Sequence, residues 1–440
     1  MPRADPAVDV REGHAAVDAA CRLEWPRLVA ALTRLVGDIG LAEDLAQDAL
    51  VAAVQEWPRD GVPPRPGAWL MVTARHRALD RLRRDRALAA KYALLGADLL
   101  RGVTEDVLEP DPSIGDDRLR MIFTACHPVL APAARVALTL RLVGGLTVEE
   151  IARTYLVPPS TIAQRIVRAK RTIATERIPY VVPEGPELAY RLDSVLDVVC
   201  LIFTEGYAAS AGDRWLRLDL VEEGLRLARV LARLLPDQPE VHGLAALLEL
   251  QASRVGARST PDTPVVLLGD QDRSAWDQLL IRRGFLALHR AHALTTELGR
   301  PAGRFALQAA IAAEHAVARS AEHTNWPRLA TLYAILAERY PSPIVQLNRA
   351  VGVAMADGPA AGLALVEDLA GTGDVDGYYL LHAVRGDLLD RVGRRDEALA
   401  EFERASGLTA NLTEQQLLRD RIARCRAVGA DGLPSGRDGR

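Results

Sequence analysis

Residues 146–173 read LTVEEIARTYLVPPSTIAQRIVRAKRTI, and the way this stretch folds decides the rest of the chain. Wound as a helix at about 100° per residue, its second half places Ser160, Thr161, Gln164, Arg165, Arg168, Arg171 and Thr172 within one arc of roughly 140°. Ile162, Ile166, Ala169 and Ile173 fall on the opposite side. One face packs; the other carries groups that read base edges. Glutamine pairs bidentately with adenine, arginine with guanine, and hydroxyls with either. Upstream, Thr147-Val-Glu-Glu150 has the capping-box spacing that starts a short helix. Tyr155–Val157 is a tight turn, and Pro158-Pro159 suit the first turn of the next helix. Helix, turn and basic-faced second helix make a helix-turn-helix, whose second helix enters the major groove. The competing reading is an ordinary helical hairpin, and the clean separation of the two arcs argues against it.

Two segments closer to the N-terminus have the same helical period. In LAEDLAQDALVAAVQEW at 41–57, Leu41, Leu45, Ala49, Ala52 and Ala53 form the apolar arc. Glu43, Asp44, Gln47 and Asp48 form the opposite one. A compact acidic and amide stripe repels nucleic acid and fits a basic protein partner; taken alone, it is equally a solvated face. In AWLMVTARHRALDRLRR at 68–84, Met71, Ala74, Ala78 and Leu82 make the stripe expected to be buried. Trp69, Thr73, His76, Arg77, Asp80, Arg83 and Arg84 share the polar face. A tryptophan among arginines is the combination by which single strands are held, rings stacking on bases while guanidinium groups follow phosphates. The plain alternative for Trp69 is a core anchor at a helix start. Between these helices, Trp57–Pro66 reads as a stiff proline-rich loop carrying Arg59 and Arg65, able to wall a pocket for an extruded base.

Composition is consistent with this and excludes much else. The chain has 440 residues, 49% hydrophobic and 25% charged, an ordinary globular balance. No uninterrupted apolar run reaches the 18 or so residues that span a bilayer, and no secretory h-region follows Met1. Four scattered cysteines lack ligand spacing and read as reduced thiols of a cytoplasmic protein. The net charge of −4 is uneven, with residues 1–180 at +2 and residues 181–440 at −6. Basic residues gather at Arg75–Lys91 and at Arg165–Arg177, two local contacts with a polyanion. Enzyme signatures are missing: there is no P-loop, no HExxH and no GxSxG. Asp270-Gln-Asp272-Arg-Ser274 begins like a calcium loop, but Ala275 replaces the turn glycine and Ile281 the closing acid. Neither catalytic residues nor a metal or cofactor site is expected.

The segments LAEDLAQDALVAA at 41–53, GAWLMVTARHRALDRLRR at 67–84 and 146–173 together resemble, in order and spacing, the sigma-70 family of bacterial transcription initiation factors. The closer resemblance is to its small extracytoplasmic-function class, and it covers about residues 20–178. FTEGYAASAGD at 203–213 and DQDRSAWD at 270–277 resemble a subgroup with a long tetratricopeptide-like C-terminal extension. The resemblance implies a sigma factor, not an enzyme, that binds RNA polymerase core through its β′ and β subunits and acts on promoter DNA. Glu43, Asp44, Gln47 and Asp48 would grip β′. Arg59, Arg65, Trp69, Thr73, His76, Arg77, Asp80, Arg83 and Arg84 would hold the melted −10 element. Ser160, Thr161, Gln164, Arg165, Arg168 and Arg171 would read the −35 element. Family members often carry asparagines at the positions of His76 and Asp80, and a glycine at that of Leu156.

The expected fold is all-α, in four parts. These are a sigma region 2 domain at 15–90, an acidic linker at 91–117 and a region 4 helix-turn-helix domain at 118–178. A tetratricopeptide-like α-solenoid at 188–428 follows, with a regulatory role and a regulatory protein as its expected partner. In that block Pro359–Leu369 and Asp396–Leu408 share a pattern, Tyr379–Leu408 reads as two helices around Gly393-Arg-Arg, and Leu220–Ser253 as two around Pro236–Pro239. The competing functions are a stand-alone helix-turn-helix regulator with a helical sensor domain, and a repeat-domain scaffold.

Overall fold

A computed structural model describes residues 24–93, 114–155, 157–208, 216–258, 266–371, 375–409 and 411–430. Among them every regular element is a helix and no β-strand is formed. The chain divides into two compact units, residues 1–199 and 200–440.

The first unit opens with α1 (residues 24–36), α2 (Ile39–Asp60) and α3 (Pro66–Ala93). Asp38 caps α2, its carboxylate accepting from the Leu41 amide at 2.7 Å. Helices α2 and α3 pack on each other, and small residues make up much of their buried faces: Ala42, Ala46, Ala49 and Ala53 on one helix, Ala74 and Ala78 on the other, all fully buried. Alanine lets two backbones approach closely, so few large side chains are needed to fill the seam. Leu70, fully buried, takes the place expected of Met71, which is half-buried, as is Leu82. The proline-rich loop is shorter than the sequence implies. Helix α2 continues to Asp60 with Pro58 inside it, and ends at Gly61, whose φ of +83° suits glycine. Proline forfeits its own backbone donor and so removes one bond of the ladder. Trp57, 3% exposed, anchors the last turn in the core and does not belong to the loop.

Helices α4 (Ile114–Ala125), α5 (Pro132–Leu142), α6 (Val148–Thr154) and α7 (Pro159–Thr175) form the second half of the unit. The α6 start is a reciprocal capping box: Thr147 N–H donates to Glu150 Oε2 at 2.8 Å, and Glu150 N–H to Thr147 Oγ1 at 3.1 Å. Ile162, Ile166, Ala169 and Ile173 of α7 are buried, each isoleucine contributing about 1.5–3 kcal/mol. Leu156 and the acidic residues Asp98, Glu105, Asp106, Glu109 and Asp111 lie outside the described residues.

Helix α8 (Gly185–Tyr207) is continuous across the division between units, which falls at Val199–Cys200. Residue 188, where the helical extension is expected to begin, lies within this helix. Its first turns pack on the first unit. Arg191, 2% exposed, donates to the Phe123 carbonyl at 2.9 Å, and Ser194 Oγ to the Cys126 carbonyl at 2.6 Å.

The second unit continues with α9 (Leu218–Leu234), α10 (Pro239–Ala252), α11 (Gln278–Glu297), α12 (Arg304–Val317), α13 (Trp326–Arg339) and α14 (Pro343–Ala356). It closes with α15 (Pro359–Ala370), α16 (Tyr379–Arg391), α17 (Arg395–Leu408) and α18 (Leu412–Ala430). From α9 onward each helix packs on the next, the arrangement of a helical-repeat solenoid. The hairpin pairs α9–α10 and α16–α17 stand where the sequence places them. In α16, Gly386 faces the Phe402 ring of α17, which lies 2.8 Å from where a β-carbon would stand, so only glycine fits this crossing without displacing the ring.

Candidate nucleic-acid and protein-binding surfaces

Helix α7 leaves its polar arc open. Ser160, Gln164, Arg168 and Arg171 are exposed, while Thr161 and Arg165 are half-buried beside them. Over this arc no acidic side chain of α7 competes for the guanidinium groups, since its first acid, Glu176, follows the last turn. The arc can therefore present one amide, three guanidinium groups and two hydroxyls to an anionic duplex.

Helix α3 places its predicted groups unevenly. His76, Asp80, Arg83 and Arg84 are exposed, Thr73 and Arg77 half-buried, and Arg59 and Arg65 lie exposed on either side of the short loop. Asp80 is engaged within the helix, 3.6 Å from the Arg83 guanidinium, and Arg81 pairs with Asp85 at 3.1 Å. Exposed pairs at this spacing are worth a few tenths of a kcal/mol, so both arginines remain available to phosphate. Trp69 is half-buried, its ring meeting that of Trp57 edge-on at 5.6 Å. One edge of Trp69 is thereby fixed by the core while part of it stays accessible. Its position joins both readings of this residue.

The acidic stripe of α2 is split. Asp44, Gln47 and Asp48 are exposed, continued by Val51 at 49% and Val54 at 41% exposure. Glu43 departs from the expected open stripe, being only 6% exposed. Its carboxylate pairs with Arg141 of α5 at 3.0 Å and with Lys170 of α7. The Arg141 guanidinium also lies over the Trp25 ring at 4.6 Å and donates to the Leu146 carbonyl at 3.1 Å. Nothing local in the sequence marks Arg141 or Lys170 as partners of Glu43.

Further contacts join the same two halves of the first unit. Arg34 pairs with the buried Asp117 at 3.1 Å, and Asp117 also holds Arg120 at 2.7 Å. The Tyr180 hydroxyl lies 3.0 Å from the Ala30 carbonyl and 2.9 Å from that of Asp117, with one proton to donate between them. Burial, reinforced by Asp117, pushes this phenol above its ordinary range. Cys126 belongs to the core: burial raises its thiol to about 12, and its sulfur lies 3.3 Å from Thr139 Oγ1. It is thus held as a neutral thiol, unsuited to nucleophilic or metal-binding use. Among the described residues no group of three or more His, Cys, Asp or Glu side chains could hold a metal ion, and no helix is long and apolar enough to cross a membrane.

Comparison with known proteins assigns the two halves of this unit separately. Residues 23–87 match the model for sigma-70 region 2, and residues 120–173 that for sigma-70 region 4. Residues 191–292 match a family of unknown function, DUF6596. An uncharacterized protein of Rhizobium meliloti is 39% identical over 406 residues, 92% of this chain and 94% of that one. The probable ECF RNA polymerase sigma factor SigI of Mycobacterium tuberculosis is 30% identical over 166 residues, 38% of this chain and 57% of SigI. The ECF RNA polymerase sigma factor SigK of Mycobacterium ulcerans is 28% identical over 149 residues, 33% of this chain and 76% of SigK. Among solved structures, yeast Tom70 is similar at 11% identity and a TM-score of 0.30, covering 96% of this chain and 85% of that one. With region 2 and region 4 matched in order and a helical extension behind them, the chain belongs to the sigma-70 family of transcription initiation factors, in its extracytoplasmic-function class.

Proposed function

We propose that this sigma factor binds the RNA polymerase core through α2, reads −35 duplex with α7 and traps an unstacked −10 strand with α3 and the loop before it. The observation that carries the reading is the open polar arc of α7 above a wholly buried apolar stripe. That arc supplies the donors for major-groove readout and for phosphate contacts, whose loss weakens binding more steeply as salt rises. Asp44, Gln47 and Asp48 offer the β′ subunit an exposed anionic face. On α3, Arg77, Arg83 and Arg84 follow the backbone of the displaced strand, and the accessible part of Trp69 stacks on a base. Stacking is worth about 1–3 kcal/mol per base, comparable to the few kcal/mol that unstacking costs, so binding alone drives opening without nucleotide hydrolysis. The reading places the protein in the cytoplasm with its polymerase. The helical extension serves regulation by docking a protein partner on its repeat surface.

Capture by immobilised core polymerase tests this directly. The wild-type chain is expected to be retained, and D44K/D48K to be lost with unchanged helical content. A chain that binds promoter duplex tightly by itself, indifferent to polymerase and to those two charges, would instead be a stand-alone helix-turn-helix regulator.

A further inference from the structure

The second unit gathers positive charge at one place, around the end of α10. We propose that Arg254, Arg258 and Arg273 form a binding site in the helical extension for a phosphate group, free or carried by a small molecule. The inference does not depend on the reading of α2, α3 and α7.

Two stretches that stand out in the sequence, FTEGYAASAGD at 203–213 and DQDRSAWD at 270–277, contribute to the same cluster. The first supplies Tyr207 at the end of α8, the second Arg273 and Trp276. Just after α10, a 3-10 turn at Val255–Ala257 is flanked by Arg254 and Arg258. The Arg258 guanidinium lies 3.5 Å from the centre of the Tyr207 ring, and that of Arg254 lies 5.4 Å from the same centre. A second 3-10 turn, Arg273–Ala275, packs against the first. Asp272 caps it, its carboxylate accepting from the Ser274 amide at 2.9 Å and from the Ser274 hydroxyl at 2.7 Å. The acid that opens like a calcium loop therefore holds the turn that presents Arg273. The Arg273 guanidinium stands 5.3 Å from the centre of the Trp276 ring.

Arg258 and Arg273 are buried, at 5% and 8% exposure, and Arg254 is half-buried. Among the described residues no carboxylate pairs with Arg254 or Arg273. Arg254 donates to the Gln251 side-chain oxygen. Arg273 donates to the carbonyls of His315 at 2.7 Å and Ala318 at 3.1 Å, and to Thr324 Oγ1 at 3.0 Å. Acids on the neighbouring elements are turned to other cations: Glu205 to Arg217, Glu249 to Arg229 and Glu314 to Arg328. Cations drawn out of water without a counter-charge are costly, and the neighbours register it. Burial, with Arg254 adding repulsion, lowers the Arg258 guanidinium to about 10, and burial with Arg254 and Arg273 keeps His315 neutral.

The cluster also has donors to spare. Arg273 Nε and Trp276 Nε1 are buried N–H groups without a partner among the described residues, and buried donors are rarely left so. An anion that only accepts hydrogen bonds answers both the charge and the donors. Guanidinium forks match phosphate oxygens two at a time. A phosphate monoester brings nearly two negative charges at neutral pH, where a carboxylate brings one. The ligand enters past Arg254, the most accessible of the three arginines.

The test is calorimetric titration of the full chain with inorganic phosphate, phenyl phosphate and acetate, at ionic strength held constant with sodium chloride. Saturable binding of at least one phosphate probe is expected, about tenfold or more tighter than acetate. Tighter binding of the ester assigns the site to a phosphorylated small molecule, and tighter binding of the inorganic ion to free phosphate; either supports the site. R254Q, with helical content confirmed by circular dichroism, should weaken the preferred probe by about tenfold, the loss of one charge-assisted hydrogen bond, and R258Q should do the same. R168Q provides the contrast, because the α7 arc also attracts phosphate. Binding that is lost in R168Q but kept in R254Q overturns the site, as does acetate binding as tightly as phosphate, or no saturable binding at all. The ligand-free R254Q chain gives a second readout. Relief of repulsion should raise its denaturant midpoint; a lowered midpoint would mean that Arg254 is already neutralised within the chain, and the site falls.

Discussion

At the scale of single residues, long-range partners decide what a side chain does, and Arg191 is the clearest case. It is buried on α8, lies over the Phe123 ring at 5.7 Å and donates to the Phe123 carbonyl. Arg191→Ala should lower the stability of the first unit by about 2 kcal/mol, the range for a charged hydrogen bond lost inside a protein, read as a shift in the denaturant midpoint. In the second unit His315 packs edge-on against Trp326 at 5.5 Å, and burial, with Arg254 and Arg273 nearby, lowers its imidazole to about 4. The unfolded chain binds a proton that the folded chain refuses, so stability is complete above pH 6.5 and declines as the pH falls toward 4. The loss should be about 3 kcal/mol. His315→Gln should flatten that part of the pH–stability curve, whereas an unchanged slope would place the titration elsewhere. Glu43 shows why such residues escape a reading of sequence. Helical period places it beside Asp44, and only a partner 98 residues away, Arg141, reveals that it is covered.

Helices and their ends were much more legible, because the interactions that make them are local. Thr147 and Glu150 announce the start of α6 by spacing alone, and both bonds of the box form. Thr147→Ala should cost about 1 kcal/mol, measurable by chemical denaturation, while Thr147→Ser should not. The stop of α7 was less legible. Ile178 N–H reaches the Ile173 carbonyl at 3.1 Å and Arg177 N–H that of Ala174 at 3.3 Å, a Schellman closure in which Arg177 adopts φ +50°. Glycine is the usual occupant, and arginine gives no hint of the turn. Arg177→Gly should therefore stabilise the first unit by about 0.5–1 kcal/mol; destabilisation would mean that the arginine side chain matters more than the strain. The Trp57–Pro66 segment misled in the opposite direction. Its prolines imply a loop, but Trp57 gains enough from burial to hold Pro58 within the last turn of α2.

For the whole molecule, period and punctuation identified an all-α chain and the hairpins of its second unit, since each hairpin is closed by its own turn residues. The division between the two compact units falls inside α8, at Val199–Cys200. Prolines at 179, 183 and 186 look like a domain break, yet α8 begins inside that run and finishes the first unit before entering the second. A helix that serves two cores carries apolar residues throughout and shows no change of composition where the cores part. Function in this account also belongs to the whole molecule: an anionic stripe for the transcribing enzyme and two cationic helices for one promoter, in a single chain. Transcription by purified core polymerase on a library of promoter fragments tests that most directly. Adding the chain should start transcripts from a discrete subset of fragments, with Q164A/R168A abolishing that selection and D44K/D48K abolishing initiation altogether. Initiation that is the same with and without the chain, or that is unaffected by D44K/D48K, would contradict it.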